Sequence, residues 1–318
     1  MNLTSIQLDR AIGTVLASAA GDALGAQYEF GPALSDLVTP AFGRGVFGHA
    51  PHEWTDDTSM AIPILDTLAR GGRIDDADSR EEIVDRWIGW SQTAKDVGAQ
   101  TRSVLMRVST PVAEDDVRDA ARTVHENAGR SGGNGALMRT GPLALGYLDR
   151  PATELADAAR AVSELTHWEA DSASACILWC GAIRHAILTG ELDVRGQLTL
   201  LPAADAARWG DLIDEALAPG AHPRDFMESN GWVVRAFQGA LAAVVGAASL
   251  TDAVERAVRG GGDTDTVAAI AGSLAGAVWG GSAVPVEWKR ELHGWPEYTA
   301  KDLERQAKLA VTASPTGR

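Results

Sequence analysis

The sequence predicts an all-α, compact single domain made of many helices. Three observations carry that expectation. Apolar residues recur at helical spacing along most of the chain, several apolar runs are dense in small residues, and no series of alternating strands is present. The 318 residues are 45% apolar and 22% charged, the balance of a globular protein whose core needs no disulfide staples.

Leu8, Ile12, Val15, Leu16 and Ala19 share one face of a first helix, and Ile83, Val84, Trp87 and Ile88 mark another. Asp149-Arg150-Pro151 caps and starts a helix that runs on through Leu155, Ala159 and Val162. Further helices are expected at 57–70, 115–127, 135–147, 169–189, 203–217, 231–248, 251–259, 265–279 and 299–311. Val104–Val108 is too short to found a sheet. Ala268, Ala269, Ala271, Gly272, Ala275 and Gly276 make a face of small residues on which a second helix backbone can approach closely. No heptad register and no internal repeat appears. The loops at Gly71–Asp78, Gly129–Gly135 and Pro219–Asp225 read as internal to one domain over 1–311, with 312–318 a frayed tail.

Net charge is 28 − 43 = −15. Such a surface repels phosphate backbones and anionic membranes, so nucleic acid is not an expected partner. An anionic ligand would need local screening, which metal ions supply. Cys176 and Cys180, the two cysteines, stand four apart in a helix-like run and read as buried small apolar residues. The longest apolar runs, Gly239–Leu250 and Val267–Gly280, fall short of the ~20 residues that cross a bilayer. With no basic leader before an apolar core, a cytoplasmic protein without a membrane span is expected.

Two short acidic motifs stand nearly the whole chain apart, Glu53-Trp54-Thr55-Asp56-Asp57-Thr58 and Gly261-Gly262-Asp263-Thr264-Asp265-Thr266. Each precedes an apolar helical run. Capping explains either one alone, because Thr and Asp at a helix start are ordinary. The alternative is a centre of hard oxygen ligands for a pair of Mg²⁺ or Mn²⁺ ions, if folding unites the motifs. Capping leaves Gly260-Gly261-Gly262 unexplained, whereas glycines allow a sharp turn and a close approach to a ligand or ion. Gly129-Arg130-Ser131-Gly132-Gly133-Asn134-Gly135 could present backbone N–H groups to a phosphate. It is neither a Walker loop nor a Rossmann fingerprint. Thr166-His167 lies between helical stretches, and Gly21-Asp22-Ala23-Leu24-Gly25 with Glu29 reads as a capped helix end followed by an exposed acid.

As an ordered set these motifs are more specific than any one of them. Gly-Asp-Ala-Leu-Gly with a nearby Glu, then Thr-Asp-Asp-Thr, Asn-Gly-x-Leu-Met-Arg, Thr-His and Gly-Gly-Asp-Thr-Asp-Thr resembles the ADP-ribosylglycohydrolase family over about residues 8–280. The resemblance implies a many-helix orthogonal bundle with a two-metal centre of magnesium or manganese. It also implies cleavage of the bond between ADP-ribose and an acceptor.

Carried onto this chain, the metal ligands would be Thr55, Asp56, Asp57, Asp263, Asp265 and Thr266. Asp56 or Asp265 would bridge the ions. Ser131, Gly132, Gly133, Asn134 and Gly135 would hold the pyrophosphate and its ribose, with His167 on the same ligand. Asp96 resembles an aspartate that faces the reacting ribose, and Glu29 the acid of a loop that closes over the metals. Either could transfer the proton. The chain departs from many relatives at Trp168-Glu169-Ala170-Asp171, where Trp168 either stacks on a base or packs in the protein. Arginine is the expected acceptor, with O-linked serine or an O-acyl ester as alternatives. A non-catalytic ADP-ribose-binding protein and a two-metal phosphatase are the competing classes.

Overall fold

Helices make up nearly all regular structure in the computed structural model, which describes residues 3–313. In chain order they are α1 (Ser5–Gly25), α2 (Asp56–Ala69), α3 (Ala77–Ser91), α4 (Ala99–Leu105), α5 (Glu114–Ala128), α6 (Leu137–Thr140) and α7 (Ala152–Glu164). There follow α8 (Ala170–Thr189), α9 (Ala203–Leu217), α10 (Val233–Val245), α11 (Leu250–Arg259), α12 (Thr264–Trp279), α13 (Val286–Glu291) and α14 (Ala300–Thr312). The described strands are β1 (His293–Gly294) and β2 (Tyr298–Thr299), an antiparallel pair with His293 opposite Thr299.

Small residues set the centre of the fold. The face expected on α12 lies against α1, and the two backbones touch. A methyl group added at Gly276 would stand 1.9 Å from the Gly13 carbonyl oxygen, and one at Gly272 2.2 Å from that of Ala17. At Gly21 it would stand 2.3 Å from the Ala268 carbonyl oxygen, and at Gly25 2.5 Å from the Cα of Asp265. Around this pair, α14 and α8 pack on α1, α11 and α10 pack on α12, and α2 packs on α14. Gly276→Val should therefore force α1 and α12 apart and destabilise the protein by about 3 kcal/mol. A urea unfolding midpoint equal to that of the wild type would refute this packing.

One contiguous apolar cluster extends from Ala11 to Ala310. Trp179 and Trp209 both meet Phe237 edge-on, at 5.1 and 5.0 Å between ring centres. A satellite of Val104, Ala120, Ala121 and Val124 takes in Trp168, over whose ring the Arg118 guanidinium sits at 5.1 Å. Trp168 thus packs in the protein. Cys176 and Cys180 are buried as expected, and burial pushes the Cys176 thiol up to about 11.

The helical expectation fails at 135–147. That segment is a 3₁₀ turn at Asn134–Ala136, the single turn of α6, and a 3₁₀ stretch at Gly141–Tyr147. Pro142 cannot donate to the helix ladder and Gly141 weakens it, so no long helix forms. Val104 belongs to α4, a helix the apolar pattern does not reveal. α14 continues to Thr312, one residue into the expected tail, and 314–318 lie outside the described residues. α8, at 20 residues, is long and apolar enough to cross a membrane, and most of it is buried in the core as a central helix would be.

Candidate active site

The contact between α1 and α12 brings Asp22, near the end of α1, to Asp265 in the first turn of α12. Asp22 then captures the start of α2. Its Oδ1 accepts from the Thr55 N–H and hydroxyl at 2.8 and 2.7 Å. Its Oδ2 accepts from the Thr58 N–H and hydroxyl at 2.9 and 2.6 Å. Thr55, the N-cap residue of α2, makes no side-chain cap bond of its own. Capping of α2 is real, but the capping carboxylate comes from another helix. Asp56 and Asp57 are then not needed as caps, and each has one oxygen near the Thr55 hydroxyl, at 3.4 and 3.1 Å.

The α12 end of the site is set by a second tie. Gly261 and Gly262 have positive φ of 79° and 72°. The Phe30 N–H donates to the Gly262 carbonyl at 2.7 Å and the Gly262 N–H to the Gly31 carbonyl at 2.9 Å. A Cβ at Gly261 would fall 2.5 Å from the Ala33 nitrogen, and one at Gly262 2.5 Å from Asn230 Oδ1. The glycines' close approach is therefore to the chain itself, and it holds the Glu29 loop beside Asp263. The Asp263 N–H donates to Asn230 Oδ1 at 2.9 Å, and Asp263 Oδ2 accepts from Asn134 Nδ2 at 2.7 Å.

The two acidic motifs consequently meet. Oxygens of Asp22, Asp57 and Asp265 lie within 4.8 Å of one another, as do oxygens of Glu29, Asp263 and Asp265. Asp265 is in both triads, whereas Asp56 is in neither. Burial, then the like charges of Asp96, Asp22 and Asp263, pushes Asp56 up to about 8. Glu29 rises to about 8 for the same reasons, burial first and then Asp263, Asp96 and Asp56. Burial lifts Asp22 to about 6 against the pull of the Thr58 and Thr55 bonds. Burial followed by neighbouring carboxylates holds Asp57 and Asp265 well above the usual range, and burial raises Asp263 and Asp96.

The donor set suits hard divalent cations, since it is all oxygen and strongly anionic. A specific feature agrees with this. Asp57 Oδ1 is buried without a hydrogen-bond partner among the described residues, and such an orphaned acceptor is costly unless something positive meets it. Asp22, by contrast, has both oxygens fully engaged by Thr55 and Thr58. It is a positioning residue that the sequence motif disguises as a helix end.

A cleft of about 640 Å³ opens over these acids, lined also by Gly133, Asn134, Gly135, His167 and Thr266. His167 is buried and oriented by a chain of donors. Arg139 Nη2 donates to Thr166 Oγ1 at 2.7 Å, and that hydroxyl lies 2.7 Å from His167 Nδ1. Arg139 can only donate, which leaves the Thr166 hydrogen available to Nδ1, and in that arrangement the ring proton sits on Nε2. Burial, with Arg139 nearby, depresses the imidazole well below its ordinary value and keeps it neutral. Methyl groups at Gly133 and Gly135 would stand 3.2 Å from Nε2 and 3.0 Å from Cε1. These glycines therefore give the His167 ring its space.

Two N–H groups of the glycine loop are already taken by other parts of the chain. The Ser131 N–H donates to Glu169 Oε2 at 3.0 Å, and the Asn134 N–H to the Gly231 carbonyl at 3.0 Å. Ser131 Oγ contacts His125 Nδ1. Ser131 and Gly132 are not among the residues that line the acid cleft, and no long helix follows to lend its dipole. Gly132 instead lines an adjoining cavity of about 550 Å³ with Arg130, Glu169 and Trp232. Trp232 keeps 38% of its surface exposed there. The two cavities share Gln100, Gly133 and Gly231. Asp96 and Asp56 also line the acid cleft.

Comparison with known proteins identifies the family. The family model described as ADP-ribosylglycohydrolase matches residues 3–316. The chain is 33% identical over 299 residues to "ADP-ribosylarginine hydrolase Tri1" of Pseudomonas putida (strain GB-1), covering 92% of this chain and 76% of that protein. It is 31% identical over 295 residues to "ADP-ribosyl-[dinitrogen reductase] glycohydrolase" of Rhodospirillum rubrum, covering 89% and 90%. A solved structure, "ADP-ribosylglycohydrolase-related protein complex", superposes with a TM-score of 0.73 at 27% identity over 97% of this chain and 99% of that one. The chain belongs to the ADP-ribosylglycohydrolase family of enzymes.

Proposed function

We propose that this enzyme hydrolyses the N-glycosidic bond between ADP-ribose and an arginine side chain, using two divalent cations, Mg²⁺ or Mn²⁺. The observation that carries the reading is the pair of carboxylate triads sharing Asp265 at the base of a polar cleft. The relatives named as ADP-ribosylarginine hydrolases, at 33% and 30% identity, favour arginine as the acceptor. The intact set of acids favours catalysis over binding alone.

Thr55, Asp56, Asp57, Asp263, Asp265 and Thr266 would hold the cations, with Asp265 common to both. When bound, the ions would supply positive charge for fixing the distal ribose hydroxyls and polarising a water. The chain's own residues do the rest. Asp22 holds Thr55 and the first turn of α2 in place. The neutral His167 offers its Nε2–H to the ligand, and Gly133, Asn134 and Gly135 border the same stretch of cleft. Trp232, in the adjoining cavity, presents an aromatic face suited to a nucleobase. Asp96 and Glu29 stand beside Asp56 at the reacting end. One carboxylate removes a proton from water, and one returns a proton to the departing nitrogen.

A substrate panel tests this. ADP-ribosyl-arginine, ADP-ribosyl-serine and O-acetyl-ADP-ribose are compared for release of free ADP-ribose with Mg²⁺ or Mn²⁺. The arginine-linked substrate should turn over fastest, and chelation should abolish release. Activity that survives complete chelation refutes the metal assignment, and faster turnover of the serine linkage refutes the arginine assignment.

A further inference from the structure

We propose that a second cavity, lined by Trp90, Trp295, Tyr298 and Glu297, receives the guanidinium-bearing side chain of the acceptor and selects the linkage that is cleaved. The inference rests on the proposed function and concerns the half of the substrate that the acids and the glycine loop leave open. The cavity measures about 730 Å³ and meets the acid cleft at Asp56 and Asp96.

The order of the cavities sets the direction. The cavity of Trp232 adjoins the acid cleft through Gln100, Gly133 and Gly231, whereas the aromatic cavity adjoins it through Asp56 and Asp96. A ligand whose nucleotide end reaches toward Trp232 has its anomeric carbon near Asp56 and Asp96. A group leaving that carbon departs into the cavity that Asp56 and Asp96 also line, the aromatic one.

The lining matches a planar cation on an aliphatic stem. Aromatic faces attract guanidinium and cover its methylenes, and a carboxylate at the rim gives it a charge partner. Lys95, the one Lys or Arg among the described lining residues, is already committed to Glu53, with its Nζ 2.6 and 2.7 Å from the two carboxylate oxygens. That pairing leaves Asp96 and the exposed Glu297 as the lining carboxylates available to a guanidinium.

The aromatic wall is built, and it is joined to the acid cleft. Trp295 and Glu297 sit in the turn between β1 and β2. Trp54 Nε1 donates to the Trp295 carbonyl at 3.2 Å, and the Trp54 N–H donates to the His293 carbonyl at 3.0 Å. Trp54 immediately precedes Thr55 and Asp56, so the hairpin is fixed in register with them. The Tyr298 hydroxyl lies 3.4 Å from both Asp66 oxygens, and the Arg86 guanidinium braces Trp295 at 5.8 Å from its ring centre.

The test measures kcat/KM for ADP-ribosyl-arginine and for O-acetyl-ADP-ribose, with Mn²⁺, in the wild type, Glu297→Gln and Trp295→Leu. Glu297 is exposed, so Glu297→Gln keeps the fold even where Trp295→Leu does not. The ratio of arginine-linked to O-acetyl turnover should fall roughly tenfold in each variant, chiefly through KM. Equal losses on both substrates, or no loss on either, overturn the acceptor cavity and leave the proposed function standing. A wild-type protein that releases no ADP-ribose from any linked substrate overturns the proposed function and this inference with it.

Discussion

Asp265→Asn should lower turnover by at least ~10³-fold while making the metal-free protein more stable. The two effects have one cause. Asp265 contributes to both carboxylate triads, so its charge is what two cations would share. Without cations, that charge is an electrostatic burden, buried and surrounded by Asp57, Asp263, Glu29 and Asp22. Asn keeps the shape and an oxygen for the Thr266 N–H, which Asp265 Oδ1 now receives at 3.0 Å. The variant thus removes repulsion without opening a cavity. A gain of roughly 1–2 kcal/mol in chelated protein is expected. The rise in melting temperature that Mn²⁺ gives the wild type should shrink sharply. A variant that keeps a tenth of the turnover, or the full Mn²⁺ response, would show that Asp265 is not the shared ligand. Improved stability with lost function separates this residue from Asp22. Replacing Asp22 removes acceptors for four donors at the start of α2 and should weaken the fold.

The contrast between Asp22 and Asp265 also shows what the sequence could reveal. Asp56, Asp57, Asp263 and Asp265 are legible because each motif packs acids and hydroxyls into a few residues. Asp22 stands alone in Gly-Asp-Ala-Leu-Gly, and its role arises only when it meets Thr55 and Thr58 at the start of α2 and when α1 lies on α12, more than 240 residues away in sequence. A local signal for that packing exists. Gly13, Ala17, Gly21 and Gly25 recur every four residues on α1, the counterpart of the small-residue face on α12. Periodicity finds the long amphipathic and buried helices because their apolar faces repeat. It fails at 135–147, where Gly141-Pro142 breaks the ladder, and at α4, which is too short to show a repeat. The glycine loop is found, but its partners are not. Glu169 on Ser131 and Gly231 on Asn134 come from distant segments, and they decide which N–H groups remain for a ligand. The hairpin between β1 and β2 leaves no strand pattern because each strand is two residues long.

The chelated protein should lose stability as pH rises from 7 to 8, and Mn²⁺ should flatten or reverse that loss. Glu29 and Asp56, both held near 8 in the folded chain, have ordinary values near 4 when unfolded. Between pH 7 and 8 the folded chain therefore carries protons that the unfolded chain has released. With more protons bound in the native state, unfolding free energy falls as pH increases. Asp57 and Asp265 act in the same direction. The opposing groups are nearly spent in this window. His49, His167 and His222 are depressed by burial, so their stabilising contribution grows through the unfolded value of about 6.5 and levels off between pH 7 and 8. The carboxylates lowered by surface ion pairs, such as Asp75 and Glu53, titrate far below pH 7. One to two protons over one pH unit correspond to a loss of roughly 1–3 kcal/mol. A cation displaces those protons and binds best where they are already gone, so its stabilisation grows with pH. Urea unfolding at pH 7 and pH 8, with chelator and with saturating Mn²⁺, measures both slopes. A chelated protein that gains stability over this interval would mean that the clustered acids ionise as surface carboxylates do, and the electrostatic case for a cation centre would fail with it.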